Sequence, residues 1–273
     1  MFRRLFAKEL KREKMRKTFA FGFVAGLGLL IVAGIAASRL QKDPDQAKYQ
    51  EELADATAVQ PGVLTDQQRT HSNLYVEYRQ RMAGRRISDL VAQASGKGLR
   101  DKILGIELLV GSRPASTRAI TPEKYLAELA QTSDAVIRGR ATKRVSQITE
   151  DDTFIFTDYE VTITEVLKNN ASTLLDPNGI ITVTRPGGKV VVDGVIVKVR
   201  DYCFEPLPIN SHEIVLFLQS IPESGTYRTD SRGTGAFDLG GSSVRPLTKE
   251  EIPTGMLGDA RSFLEAARAP SSK

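Results

Sequence analysis

Residues 18–38, TFAFGFVAGLGLLIVAGIAAS, contain no charged side chain. As an α-helix at about 1.5 Å per residue this run is roughly 31 Å long, close to the ~30 Å hydrocarbon core of a bilayer. It follows a basic leader, residues 1–17, in which Arg3, Arg4, Lys8, Lys11, Arg12, Lys14, Arg16 and Lys17 outweigh Glu9 and Glu13. Positive charge ahead of an apolar span holds the N-terminus in the cytoplasm. Everything after residue 38 is therefore expected outside the cytoplasm. Two routes stay open: a single-pass inner-membrane protein, or a periplasmic or secreted one if residues 1–38 are cleaved. The span is long enough for an anchor. Met15 also offers a second start, from which the stretch reads as a signal peptide with Ala36 and Ser38 at the −3 and −1 positions of a cleavage site. The Arg3-Arg4 pair lies too far from the apolar run to read as a twin-arginine signal. Gly22 and Gly26 have the small-residue spacing by which membrane helices dimerise.

The same leader explains the charge of the protein. The chain is net +5, residues 1–17 alone are net +6, and the remainder is net −1. Nucleic-acid binding needs clustered Lys and Arg to neutralise phosphates. The exported part has no such surplus, so the expected partners are the membrane, through residues 18–38, and an envelope protein. Cys203 is the one cysteine, so no intrachain disulfide forms and the domain must rest on its apolar core.

Residues 39–62 are polar and charge-mixed and read as a tether, with one short helix after Pro44 and a break at Pro61-Gly62. Residues 63–120 read as a helical pair and a strand packing on the core. Thr65 or Asp66 caps the first helix. Leu74, Tyr78 and Met82 form its apolar stripe, and Ile87, Leu90, Val91 and Ala94 continue it after Gly84. Arg81, Arg85 and Arg86 form a solvated basic patch. Residues 103–110, ILGIELLV, are strand-like.

Residues 121–273 read as a β-rich domain with terminal helices. Thr121-Pro122-Glu123 supplies an N-cap hydroxyl, a proline at the first turn and an acid, predicting a helix to about Gln131. Strands are expected over Ala135–Gly139, Thr153–Leu167 and Ile180–Thr184, the last stopped by Pro186-Gly187-Gly188. In the second of these, Phe154 and Phe156 occupy even positions but Tyr159, Val161 and Ile163 odd ones. That slip predicts a β-bulge near Thr157-Asp158. Asp193-Gly194 between Val190–Val192 and Val195–Val199 is the signature of a two-residue hairpin. Ile214–Leu218, IVLFL, suits a strand buried on both faces. Short strands around Tyr227, Phe237 and Val244 follow, and Asp259 caps a last helix with Phe263 and Leu264 inward. The expected class is mainly β with flanking helices: a small antiparallel β-barrel or rolled sheet of six to eight strands, behind the N-terminal transmembrane or signal helix.

The segments LTDQQRTHSNLY, RRISDLVA, SDAVIRGRATKRVSQITEDDTFIFTDYEVTITEVLKNN, ITVTRPGG and HEIVLFLQSIPESGTY, with GTGAF, span roughly residues 63–245. Together they resemble a group of uncharacterised exported bacterial proteins, a resemblance that implies export but no activity. The order SDAVIRGR, TDYEVTITEVLK, EIVLFL is similar to netrin-like domains, the OB-type barrels that include tissue inhibitors of metalloproteinases. That similarity implies a barrel. It does not carry the inhibitors' mechanism, which uses an N-terminal cysteine in a disulfide-rich domain, whereas Cys203 lies mid-domain.

No catalytic, cofactor-binding or metal site is expected. With only His71 and His212 present, a zinc site would have to draw on Cys203, His212 and Glu213, whose spacing matches no ligand motif. A Cys203–His212 nucleophile and base pair is the alternative chemistry, that of a thiol-dependent envelope hydrolase; a buried cysteine and a loop histidine is the plainer reading. Glu150-Asp151-Asp152 reads as a solvated loop, Asn170-Ala171-Ser172 matches a glycosylation sequon, and Gly187-Gly188 and Gly240-Gly241 read as hairpin turns. Tyr227 and Phe237 are candidates for the edge of a ligand face. The expected function is a non-catalytic binding module at the envelope, with a purely structural membrane-associated role as the other alternative.

Overall fold

The computed structural model describes residues 43–82, 84–108, 121–170, 174–201, 203–229, 235–240, 243–248 and 258–268. The chain divides into two compact units, residues 1–48 and 49–273; of the first, only residues 43–48 are described. The leader with Met15, the apolar run with Gly22, Gly26, Ala36 and Ser38, and residues 171–172 of the sequon lie outside the described residues. Among the described residues no helix is long and apolar enough to cross a membrane.

In chain order the elements are α1 (Pro44–Ala54), β1 (Thr57–Ala58), α2 (Asp66–Leu74), α3 (Val76–Arg81), α4 (Ile87–Ser95), β2 (Ile103–Leu108), α5 (Pro122–Thr132), β3 (Ala135–Ile148) and β4 (Ile155–Asn169). Then come β5 (Ile180–Pro186), β6 (Gly188–Val192), β7 (Val195–Asp201), β8 (Ile214–Ile221), β9 (Thr226–Thr229), β10 (Ala236–Asp238), β11 (Arg245–Pro246) and α6 (Ala260–Arg268).

Five strands close into a barrel in the order β8-β3-β4-β5-β9, with β9 pairing back to β8. Every pairing in it is antiparallel except the β5/β9 seam, where Val183 and Thr184 oppose Tyr227 and Arg228 in parallel. Ile137, Val161, Ile163, Val183, Leu216 and Leu218 fill the interior. β10 and β11 extend the sheet from β8. On its outer face α5 and α6 bury Leu126, Leu129, Phe263 and Leu264 against Val215, Phe217 and Phe237. Both helices start as their sequences predict. The Thr121 hydroxyl accepts from Lys124 N–H, and the Asp259 carboxylate accepts from the N–H groups of Arg261 and Ser262.

A second sheet has the order β1-β6-β7-β2. Its centre is the predicted hairpin. Val192 opposes Val195, and Asp193 and Gly194 both take positive φ, +47° and +72°, as a type I′ turn requires. β1 and β2 join β6 and β7 in parallel. The sequence suggests six to eight antiparallel strands in a small barrel or rolled sheet, and the barrel is present. Eleven strands are present among the described residues, in two sheets with three parallel pairs. Residues far apart in sequence make those pairs, so no turn residue announces them.

Three local expectations need correction. There is no bulge at Thr157-Asp158, where the β3/β4 register is continuous; the shifts lie between Val136 and Ile137, Arg138 and Gly139, and Ala141 and Lys143. The change of phase along β4 has another cause. Its start is covered on both sides, with Phe156 and the preceding Phe154 packed on Tyr75 and Tyr78 of the helical layer, while Tyr159, Val161 and Ile163 face the barrel core. The stripe that α2 and α3 bury is His71, Tyr75, Tyr78 and the adjoining Met82, and Leu74 is only half-buried. Finally, Gly187 (φ +84°) joins β5 of the barrel to β6 of the second sheet, so it is a crossover and not a hairpin turn.

Candidate binding cleft

Side chains on one face of a strand alternate, so Arg185 of β5 shares its face with Val183, which lies in the barrel core. Arg185 opposes Thr157 of β4 and is 2 % exposed. A guanidinium therefore sits where the pattern of β5 calls for an apolar side chain. Around it the barrel strands, the β6/β7 hairpin and the loop at 204–206 leave a cleft of about 210 Å³, lined by Arg144, Tyr159, Arg185, Lys189, Lys198 and Arg200 among others.

Arg185 is held but not satisfied. Its guanidinium carbon lies 5.3 Å from the centre of the Phe204 ring, within cation–π range. Nη2 makes one long contact, 3.4 Å, to the Leu247 carbonyl, while Nε and Nη1 have no hydrogen-bond partner. Desolvation pulls its pKa below the ordinary arginine value, opposed by the nearby Tyr159, Tyr75 and Glu205 side chains; an arginine nonetheless stays charged. Glu205 is itself engaged with Arg245 at 2.8 Å.

The floor is a closed hydroxyl chain. Thr157 donates to the Gly187 carbonyl at 2.7 Å, so the 2.9 Å contact between Ser146 and Thr157 has Ser146 as donor. Ser146 Oγ in turn accepts from Lys189 N–H at 3.3 Å. Gly188 is needed here, since a Cβ would run into both hydroxyls. At the rim, Glu52 of α1 takes Lys189 at 2.5 Å and Lys198 at 2.9 Å, and Asp55 takes Lys189 at 3.2 Å and pairs with Arg144. The two lysines hold the Glu52 carboxyl below its ordinary value.

The sequence-level candidates are placed elsewhere. Cys203 is buried and its N–H donates to Asp201 Oδ1 at 2.8 Å. Burial raises the Asp201 carboxyl, partly offset by hydrogen bonds from Tyr78 and Cys203. His212 is exposed, with Nδ1 3.3 Å from Asp238 Oδ1, and Glu213 is taken by Arg138. Each of the three has a different partner, and no described contact joins Cys203 to His212. The 150–152 loop is not simply solvated: Asp152 accepts the N–H groups of Ile87 and Ser88 through its carbonyl and carboxylate, capping α4 from outside the helix. Tyr227 and Phe237 are buried and are not among the residues that line this cleft.

Two residues carry roles that the sequence reading missed. Arg185 could have been found as the one charged residue in phase with Ile181 and Val183. His71 is fully buried, with Nδ1 2.8 Å from Asp158 Oδ1 and Nε2 2.7 Å from Thr226 Oγ1; its signal was its position one turn before Tyr75. The arrangement can bind, orient and hold charge at the cleft. No protein-family model matches the chain, and no curated protein matches it.

Proposed function

We propose that the chain is a non-catalytic binding module of the bacterial envelope, tethered by residues 18–38 or released by their cleavage, whose ligand enters the cleft at the mouth of an OB-type barrel. The observation that carries this reading is Arg185: a buried cation with unpartnered donors lines an open cleft. An arginine serving only the fold would have its donors paired. The strand order supports the barrel type. Counting the five barrel strands in chain order, the ring runs 1-2-3-5-4 with strands 3 and 5 parallel, as in OB-type barrels, to which netrin-like domains belong. Such barrels bind through their sheet face and loops.

The test is crosslinking in intact membranes, purification of the full chain and identification of what is attached. Crosslinks from residues 185–206 to an envelope component are expected. Crosslinks confined to other surfaces, or none, overturn the assignment of the cleft.

A further inference from the structure

We propose that the cleft binds a compact oxyanion, a carboxylate or a phosphate monoester, on the guanidinium of Arg185. The inference rests on the reading of the cleft as a ligand site and names the chemistry of its ligand. A buried ion is costly unless charge and hydrogen bonds compensate it. Arg185 has one long contact to a carbonyl and none to a carboxylate, and Nε and Nη1 are buried without a hydrogen-bond partner. The group that completes it must therefore be anionic and must accept hydrogen bonds, which describes an oxyanion. The Phe204 ring lies 5.3 Å from the guanidinium carbon, a cation–π contact that holds the side chain from the cleft wall.

The rim supports the same chemistry. Lys189, Lys198, Arg144 and Arg200 line the cleft beside Asp55, Asp201 and Glu205. The first three already bind carboxylates, those of Glu52 and Asp55, within the chain. Those acids occupy the rim and leave Arg185 untouched. Size limits the ligand further. About 210 Å³ is below the roughly 300–1,000 Å³ of sites for drug-sized ligands, so the cleft takes a small molecule or the charged end of a longer one. A nucleic-acid strand would need a continuous basic groove with stacking aromatics, which a cleft of about 210 Å³ does not offer.

The experiment is calorimetric titration of the full chain in detergent with inorganic phosphate, with succinate and with neutral acetamide, repeated on Arg185→Gln and on the rim variant Lys198→Gln. Saturable binding of phosphate or succinate, with none of acetamide, is expected. Arg185→Gln should weaken it by at least about tenfold, the worth of hydrogen bonds to a charged group. Phosphate alone points to a phosphate monoester and succinate alone to a carboxylate. If Arg185→Gln does not fold, a severalfold loss in Lys198→Gln carries the test. Binding of neither anion, or undiminished binding in the variants, overturns the proposal. If crosslinks from 185–206 persist in that case, the cleft remains a ligand site for another chemistry; if they are absent too, both readings fail.

Discussion

Glu52 accepts from Lys198 Nζ through both carboxylate oxygens, at 2.9 and 3.2 Å. This contact brings an acid from the segment before the barrel onto the rim of the cleft. Glu52 pairs with both Lys189 and Lys198, so the oxyanion proposed for the cleft would have to compete with it for these two lysines.

Glu52→Gln should therefore tighten binding of the anion in the cleft, by about two- to fivefold for a partly exposed pair, measured as the dissociation constant in the titration above. An unchanged or weaker affinity contradicts the competition. The pH dependence has a fixed sign. The folded carboxyl lies below its ordinary value of 4.5, so its contribution to stability is complete above that pH. It is lost as pH falls through the lower folded value. Wild type should lose stability relative to Glu52→Gln only on acidification below about 4.5, read from urea midpoints across pH.

His71 ties α2 to two barrel strands through Asp158 and Thr226. Removing it leaves a cavity and deprives Asp158 of its partner, so His71→Ala should cost about 3 kcal/mol. Urea unfolding checks this; a loss under about 1 kcal/mol would show the network to be dispensable.

Asp152 caps α4 across a loop while holding a positive φ of 62°. Asp152→Ala loses the carboxylate cap and keeps the strain, at a cost of about 1–2 kcal/mol. Asp152→Gly relieves the strain and should cost less. The ordering of the two midpoints is the decisive readout.

Cys203 is 2 % exposed. A thiol reagent should leave the native protein unmodified and label it fully after unfolding. Equal labelling in both states would mean an accessible thiol and would revive the Cys203–His212 pair as a thiol enzyme.

What was legible in the sequence is what short-range chemistry specifies. Asp193-Gly194, the Thr121 cap, a cap at Thr65 as one of the two residues offered, and the apolar run at Ile214–Leu218 all appear as predicted. The parallel pairs β1/β6 and β2/β7 and the β5/β9 seam were not legible, because pairing across long separations leaves no local mark. Phe154 and Phe156 misled for a related reason. A change of apolar phase has two sources, a bulge or a second packed layer, and only the position of Tyr75 and Tyr78 distinguishes them. Arg185 was hidden by its neighbours, since Pro186-Gly187-Gly188 drew the reading toward a turn and away from the face that the arginine shares with Val183.

If Arg185 is retained for binding at the expense of the fold, removing its charge should not cost stability. The most direct test is the urea midpoint of Arg185→Met against wild type, both free of phosphate and carboxylate buffers. The variant should be at least as stable as wild type, because a buried cation without a paired acid is replaced by an apolar side chain of similar length. A loss of about 3 kcal/mol or more, the cost of breaking a satisfied buried pair, would contradict it.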